Sequence, residues 1–104
     1  MKLRKRNYRS ADSFFARMLK DSDIRIRYEE ERAKTSIAMA VKAARTRAKL
    51  TQAQLAEKIG TTQSVIARLE GVGDSRIPSL SLLARIATAC HGEFGFGFRF
   101  KKAA

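Results

Sequence analysis

Gln63, Ser64, Val65 and Arg68 follow directly on the junction Gly60-Thr61-Thr62. Their side chains offer a particular chemistry. A carboxamide presents a donor beside an acceptor and fits the exposed edge of adenine, while a guanidinium presents paired donors and fits guanine. Each such pairing is worth ~1–3 kcal/mol of discrimination against a wrong base. The Ser64 hydroxyl suits a base or a phosphate, and Val65 suits a thymine methyl. Thr51, Gln52 and Thr62 sit where helices should begin, and unpaired backbone N–H groups there attract a phosphate. Arg76, in the loop beyond, adds another cation for the same purpose.

These residues need a frame. Thr51 with Gln54 forms a capping-box pattern ahead of Leu55, Ala56 and Ile59. Gly60 stands where a left-handed helix cap suits glycine. A second helix is expected from about Thr62 to Glu70, burying Ile66 and Leu69 and turning Gln63, Ser64, Ala67 and Arg68 outward. Ala56 is small enough for the two helices to cross closely. Two short helices at roughly 90–120° about a tight turn make a helix-turn-helix.

Flanking segments complete the frame. Ile37, Val41, Ala44 and Ala48 recur at helical spacing, with Lys42, Arg45, Arg47 and Lys49 as a wet cationic side. "GVGDSRIP" is a loop with Pro78 as a rigid entry, and Ser79 should cap a last helix. Its Leu80, Leu82, Leu83, Ile86 and Ala87 leave few faces free, so it should be the most buried. "EFGFGFRF" alternates strictly, which predicts a strand with Phe94, Phe96, Phe98 and Phe100 on one side. Those rings could cover the chain's own domain or meet a second copy. Upstream, residues 1–9 read as a basic arm. Ser10 can cap a helix over 11–20 with Phe14, Phe15, Met18 and Leu19 on its apolar face. Asp21-Ser22-Asp23 interrupts it, and Ser22 or Asp23 can start another through "IRIRYEEERA". Ile24 and Tyr28 mark its inner side, and Glu29, Glu30 and Glu31 stay wet.

The chain has 104 residues, one domain's worth, and a net charge of +12. Such an excess favours a polyanionic partner, nucleic acid above all. No apolar run reaches the ~20 residues of a membrane span, and no signal-type segment follows the basic start. A lone cysteine, Cys90, fits a reducing cytoplasm. Cys90 and His91 lack further ligands, so neither metal nor cofactor is expected. With one histidine, no Ser-His-Asp set and no phosphate-binding glycine loop, the chain is not expected to be an enzyme.

"LTQAQLAEKIGTTQSVIARLEG" followed by "IPSLSLLARIATAC" resembles the Xre/Cro family of bacterial and phage repressors, over residues 36–90. The upstream "MLKDSDIRIRYEEERAKTSIAMAVKAARTR" is similar to the leader of HigA-type antitoxins, with Ser22 where proline is common. The resemblance implies an all-α helix-turn-helix bundle with an N-terminal helical leader and a short C-terminal β-strand. Residues 1–35 would form arm and leader, and residues 36–104 the DNA-binding domain. It further implies a homodimer on a palindromic double-stranded operator. Bases would be met by Gln63, Ser64, Val65 and Arg68, and phosphates by Thr51, Gln52, Thr62 and Arg76. A HigB/RelE-like, mRNA-cleaving toxin would be the protein partner, with Asp23, Arg27, Tyr28, Glu29, Glu30 and Glu31 as candidate contacts. A stand-alone Xre-type repressor remains an alternative, as does a nucleic-acid binder of low specificity.

Overall fold

A computed structural model describes residues 13–14, 16–17, 20–71 and 77–100. Backbone contacts divide the chain into two units, Met1–Thr35 and Ser36–Ala104. Among the described residues the elements are α1 (Ser22–Arg47), α2 (Gln52–Ile59), α3 (Gln63–Glu70) and α4 (Leu80–Ala89). Ser13, Phe14, Ala16 and Arg17 are also helical and exposed. The arm, the Ser10 cap and the centre of the loop after α3 lie outside the described residues.

α1 is a single helix of 26 residues. It runs through Thr35 and Ser36 because the alanine-, glutamate- and arginine-rich stretch around them contains no breaker. Its cap is Asp21 rather than Ser22 or Asp23. The Asp21 carboxylate accepts from the backbone N–H of Asp23 at 2.9 Å and of Ile24 at 3.4 Å. Across Asp23–Glu31 every residue is exposed, Ile24 and Tyr28 included. Glu29 pairs with Arg32 at 3.6 Å and Glu31 with Lys34 at 3.2 Å, each one helical turn apart.

The core belongs to the second unit. Val41 of α1, Leu55, Ala56 and Ile59 of α2, Ile66 of α3, and Leu83 and Ile86 of α4 form one buried cluster. Leu55 and Ile66 are fully buried at its centre. Ile37, Leu50, Leu69, Leu82, Ala89 and Cys90 pack round it. α4 is less buried than its leucines suggest. Ser79 caps it, its hydroxyl accepting from the Leu82 N–H at 3.1 Å. Only Leu83 and Ile86 are buried, and Leu80 keeps 65% of its surface exposed. So small a core offers α4 one side to lie against.

Three helix ends use the same device. Lys49 (φ 60°), Gly60 (φ 74°) and His91 (φ 60°) all adopt the left-handed conformation. After α1, the N–H of Lys49 donates to the Thr46 carbonyl and that of Leu50 to the Arg45 carbonyl. After α2, Gly60 and Thr61 donate to Glu57 and Ala56; after α4, His91 and Gly92 donate to Thr88 and Ala87. Each is a Schellman closure.

The expected C-terminal strand is absent. Glu93–Phe100 contain no strand among the described residues, and their backbone makes no hydrogen bond there. Phe96, Phe98 and Phe100 are 80–88% exposed and Phe94 40%. The alternation is real, but a strand needs a neighbouring strand's N–H and C=O groups, and the described elements, all helices, supply none. No described helix is long and apolar enough to cross a membrane.

Candidate nucleic-acid interface

α2 and α3 are joined through Gly60, Thr61 and Thr62. Ile66 on α3 packs into the cluster formed by Leu55, Ala56 and Ile59 of α2. Thr62 caps α3, its hydroxyl accepting from the Val65 N–H at 3.3 Å. With Ile66 pinned at zero exposure, helical periodicity decides which residues face solvent. Gln63, Ser64, Ala67 and Arg68 are all exposed, as the sequence predicts. None of the Gln63, Ser64 and Arg68 side chains is held by a hydrogen bond or ion pair among the described residues. Val65 is half-buried and offers only part of its surface.

At the start of α2 the capping box forms as the spacing predicts. The Thr51 hydroxyl accepts from the Gln54 backbone N–H at 3.0 Å, and the Gln54 side-chain oxygen Oε1 accepts from the Thr51 N–H at 2.9 Å. The backbone N–H groups of Gln52 and Ala53, in the first turn, take no partner within the described chain. The Gln52 side chain is half-buried and donates through Nε2 to Glu70 Oε1 at 3.2 Å. Thr62 is exposed at the head of α3. Arg76 lies outside the described residues.

Arg45 departs from expectation. Instead of joining Lys42 and Lys49 on a wet cationic side, it turns inward. Its Nε donates to Glu70 Oε2 at 2.6 Å, Nη2 to Glu70 Oε1 at 3.0 Å, and Nη1 to the Leu50 carbonyl at 2.8 Å. The two side chains are only 14% and 4% exposed. Burial pushes the Glu70 carboxyl up, but the hydrogen bonds from Arg45 and Gln52 and the charges of Arg45 and Lys42 outweigh it. Its pKa therefore falls below the ordinary value. The bond to Glu70 raises Arg45, against a smaller opposing effect of burial. Glu70 thus ties the far end of α3 to α1 and to the head of α2, while Arg45 reaches on to the α1–α2 turn. Sequence reasoning missed it, since a single acid ending an amphipathic helix reads as surface. The available signal was Glu70 following an apolar Leu69 in a chain with few carboxylates.

Cys90 half-packs on the core. Burial pushes its thiol up, with Lys58 and Arg45 pulling the other way. Among the described residues no three metal-type side chains gather. In the N-terminal unit, Asp23, Arg27, Glu30 and Glu31 share one side of α1 by helical periodicity, while Glu29 falls to the other.

Residues 41–95 match the family model described as helix-turn-helix. Comparisons with curated proteins and with solved structures gave no significant match.

Proposed function

The chain belongs to the helix-turn-helix family, and is a DNA-binding transcription regulator; from that premise we propose that it represses its own operon as the antitoxin of a toxin–antitoxin pair. Bound as a dimer at a palindromic operator, it would lay α3 in the major groove, where the first residues of a recognition helix meet base edges. One observation carries the DNA-reading part: Gln63, Ser64 and Arg68 stand exposed, and engaged by no described residue, on a helix fixed from behind by Ile66 and Glu70. Gln63 is assigned to adenine and Arg68 to guanine, with Ser64 and the exposed part of Val65 beside them. Thr51, Thr62, Arg76 and the free N–H groups of Gln52 and Ala53 are assigned to phosphates. The net charge of +12 supplies attraction for the duplex without regard to sequence.

The antitoxin part rests on the leader's likeness to HigA-type proteins and on its exposed carboxylates. A basic, RNA-cleaving HigB/RelE-like partner would be met by Asp23, Glu30 and Glu31 on one face of α1, with Arg27 between them, Tyr28 at its edge and Glu29 on the far side. The chain works in the cytoplasm by binding alone, with neither catalysis nor cofactor.

Co-expression with the neighbouring open reading frame, with one product tagged, tests this reading. Elution together with a small basic protein, and a shift of the operon's promoter DNA by at least ~10³-fold over random DNA, is the expected result. Promoter binding without co-elution leaves a stand-alone repressor. Binding that fades with salt and ignores sequence overturns both.

A further inference from the structure

Among the described residues the C-terminal segment finds no backbone partner, and three of its four phenylalanines are almost fully exposed. In an extended conformation its alternation would place Glu93, Gly95, Gly97 and Arg99 on one side and the four phenylalanines on the other. No residue of 92–100 has φ in the left-handed region, and a Cβ on Gly95 or Gly97 would meet nothing within 4 Å. The backbone N–H and C=O groups of Glu93–Phe100 are unpaired among the described residues. An uncovered row of this kind is a template for another strand.

We propose that Glu93–Phe100 of two copies of this chain pair as an antiparallel ribbon centred on Phe96, closing the dimer on which the repressor reading rests. Charge complementarity selects the second copy. With Phe96 opposite Phe96, Phe94 faces Phe98, Gly95 faces Gly97, and Glu93 faces Arg99 at both ends. Cross-strand neighbours of opposite sign stabilise a ribbon, and like signs destabilise it. Sliding the register by two residues leaves Arg99 opposite Gly95 or His91; Glu93 then faces Lys101 in one direction and Gly97 in the other, so only the centred register gives both Glu93 and Arg99 a partner of opposite sign. A slip of one residue would throw the rings to opposite faces. The centred pairing is isologous, with the two-fold symmetry a palindromic operator demands. A bare two-stranded ribbon is marginal in water, and here the rings of both copies collect on one face. At ~150–250 Å² per ring, burying most of them reaches the ~1,000 Å² of a specific interface.

Sedimentation of the full chain without DNA tests the register. The wild type should sediment as a dimer. Arg99→Glu, and separately Glu93→Arg, each set two like-charge pairs across the ribbon and should raise the dimer dissociation constant roughly tenfold. The double variant Glu93→Arg with Arg99→Glu restores the opposite-sign pairs and should recover the wild-type constant. A monomeric wild type, singles that dimerise normally, or a double variant no better than the singles overturns the ribbon. In a Cys90→Ser background, Phe96→Cys should cross-link to itself under mild oxidation while Phe98→Cys should not. The reverse pattern overturns the centring on Phe96. Every readout is taken without DNA, so promoter binding of the wild type decides the repressor reading separately.

Discussion

Arg45 and Glu70, 25 residues apart in sequence, meet through two hydrogen bonds of 2.6 and 3.0 Å and hold the end of α3 against α1. Removing one partner strands the other in a nearly closed site. Glu70→Ala should therefore cost about 2–3 kcal/mol, below the usual toll of breaking a fully buried pair because Arg45 keeps some contact with water. Thermal melting at neutral pH measures it, and an unchanged melting temperature would refute the role.

The same pair makes stability depend on pH. The Glu70 carboxyl titrates below its ordinary value in the folded chain and near that value when unfolded. Its contribution is therefore complete above the ordinary carboxylate range and disappears as pH falls through the lowered folded value. Wild type should lose melting temperature between pH 6 and pH 3 more steeply than Glu70→Gln, which has no proton to gain at that position. Parallel curves for the two would remove Glu70 as the cause.

Lys49 and His91 occupy left-handed caps that glycine fills after α2. A Cβ in that conformation costs about 1 kcal/mol, so Lys49→Gly and His91→Gly should each stabilise the domain by roughly 0.5–1 kcal/mol. Gly60→Ala should destabilise by a similar amount. An added Cβ there meets nothing within 4 Å, so only the backbone is strained. Chemical denaturation of the three variants checks both signs together.

The helix-turn-helix was legible because each of its requirements is local. Thr51 with Gln54, Gly60, Ala56 and the spacing of Leu55, Ile59 and Ile66 all answer to neighbours within a few residues. The exposed face of α3 followed from Ile66 and Leu69 turned inward, since buried positions set a helix's phase. What escaped depends on distant partners. Arg45 has the same local surroundings as Lys42, and only the arrival of Glu70 from α3 turns it inward. The strand at Glu93–Phe100 failed for the complementary reason: its pattern is present, but pairing needs a neighbouring strand, and there is none among the described residues. Leu80 misled because an apolar side chain says nothing of whether the core extends far enough to cover it.

Gln63→Ala and Arg68→Ala should relax operator choice without touching the fold. Both side chains are exposed and make no hydrogen bond or ion pair among the described residues, so melting should stay within ~0.5 kcal/mol of wild type. Each should lose about 1–3 kcal/mol of preference at one base position while binding to random DNA stays nearly constant for Gln63→Ala. Competition against operators substituted one base pair at a time reads this directly. Uniform weakening across all sequences would place the two residues on phosphates instead.

Glu30 and Glu31 lie on the exposed leader part of α1, outside the unit that holds the core and α3. Reversing both, Glu30→Arg with Glu31→Arg, removes two negative charges from the surface assigned to the basic toxin and adds two positive ones. Electrostatic steering should then oppose encounter, so capture of the partner should slow and the complex weaken by tenfold or more at low salt. Both side chains are solvent-facing on a helix that arginine suits well, so the fold should persist. Operator affinity should hold or rise slightly with the added positive charge. Surface-plasmon measurement of partner and promoter binding on one preparation separates the two effects. Equal weakening of both would mean that the substitutions damaged the chain, and no weakening of partner binding would move the toxin contact off the leader.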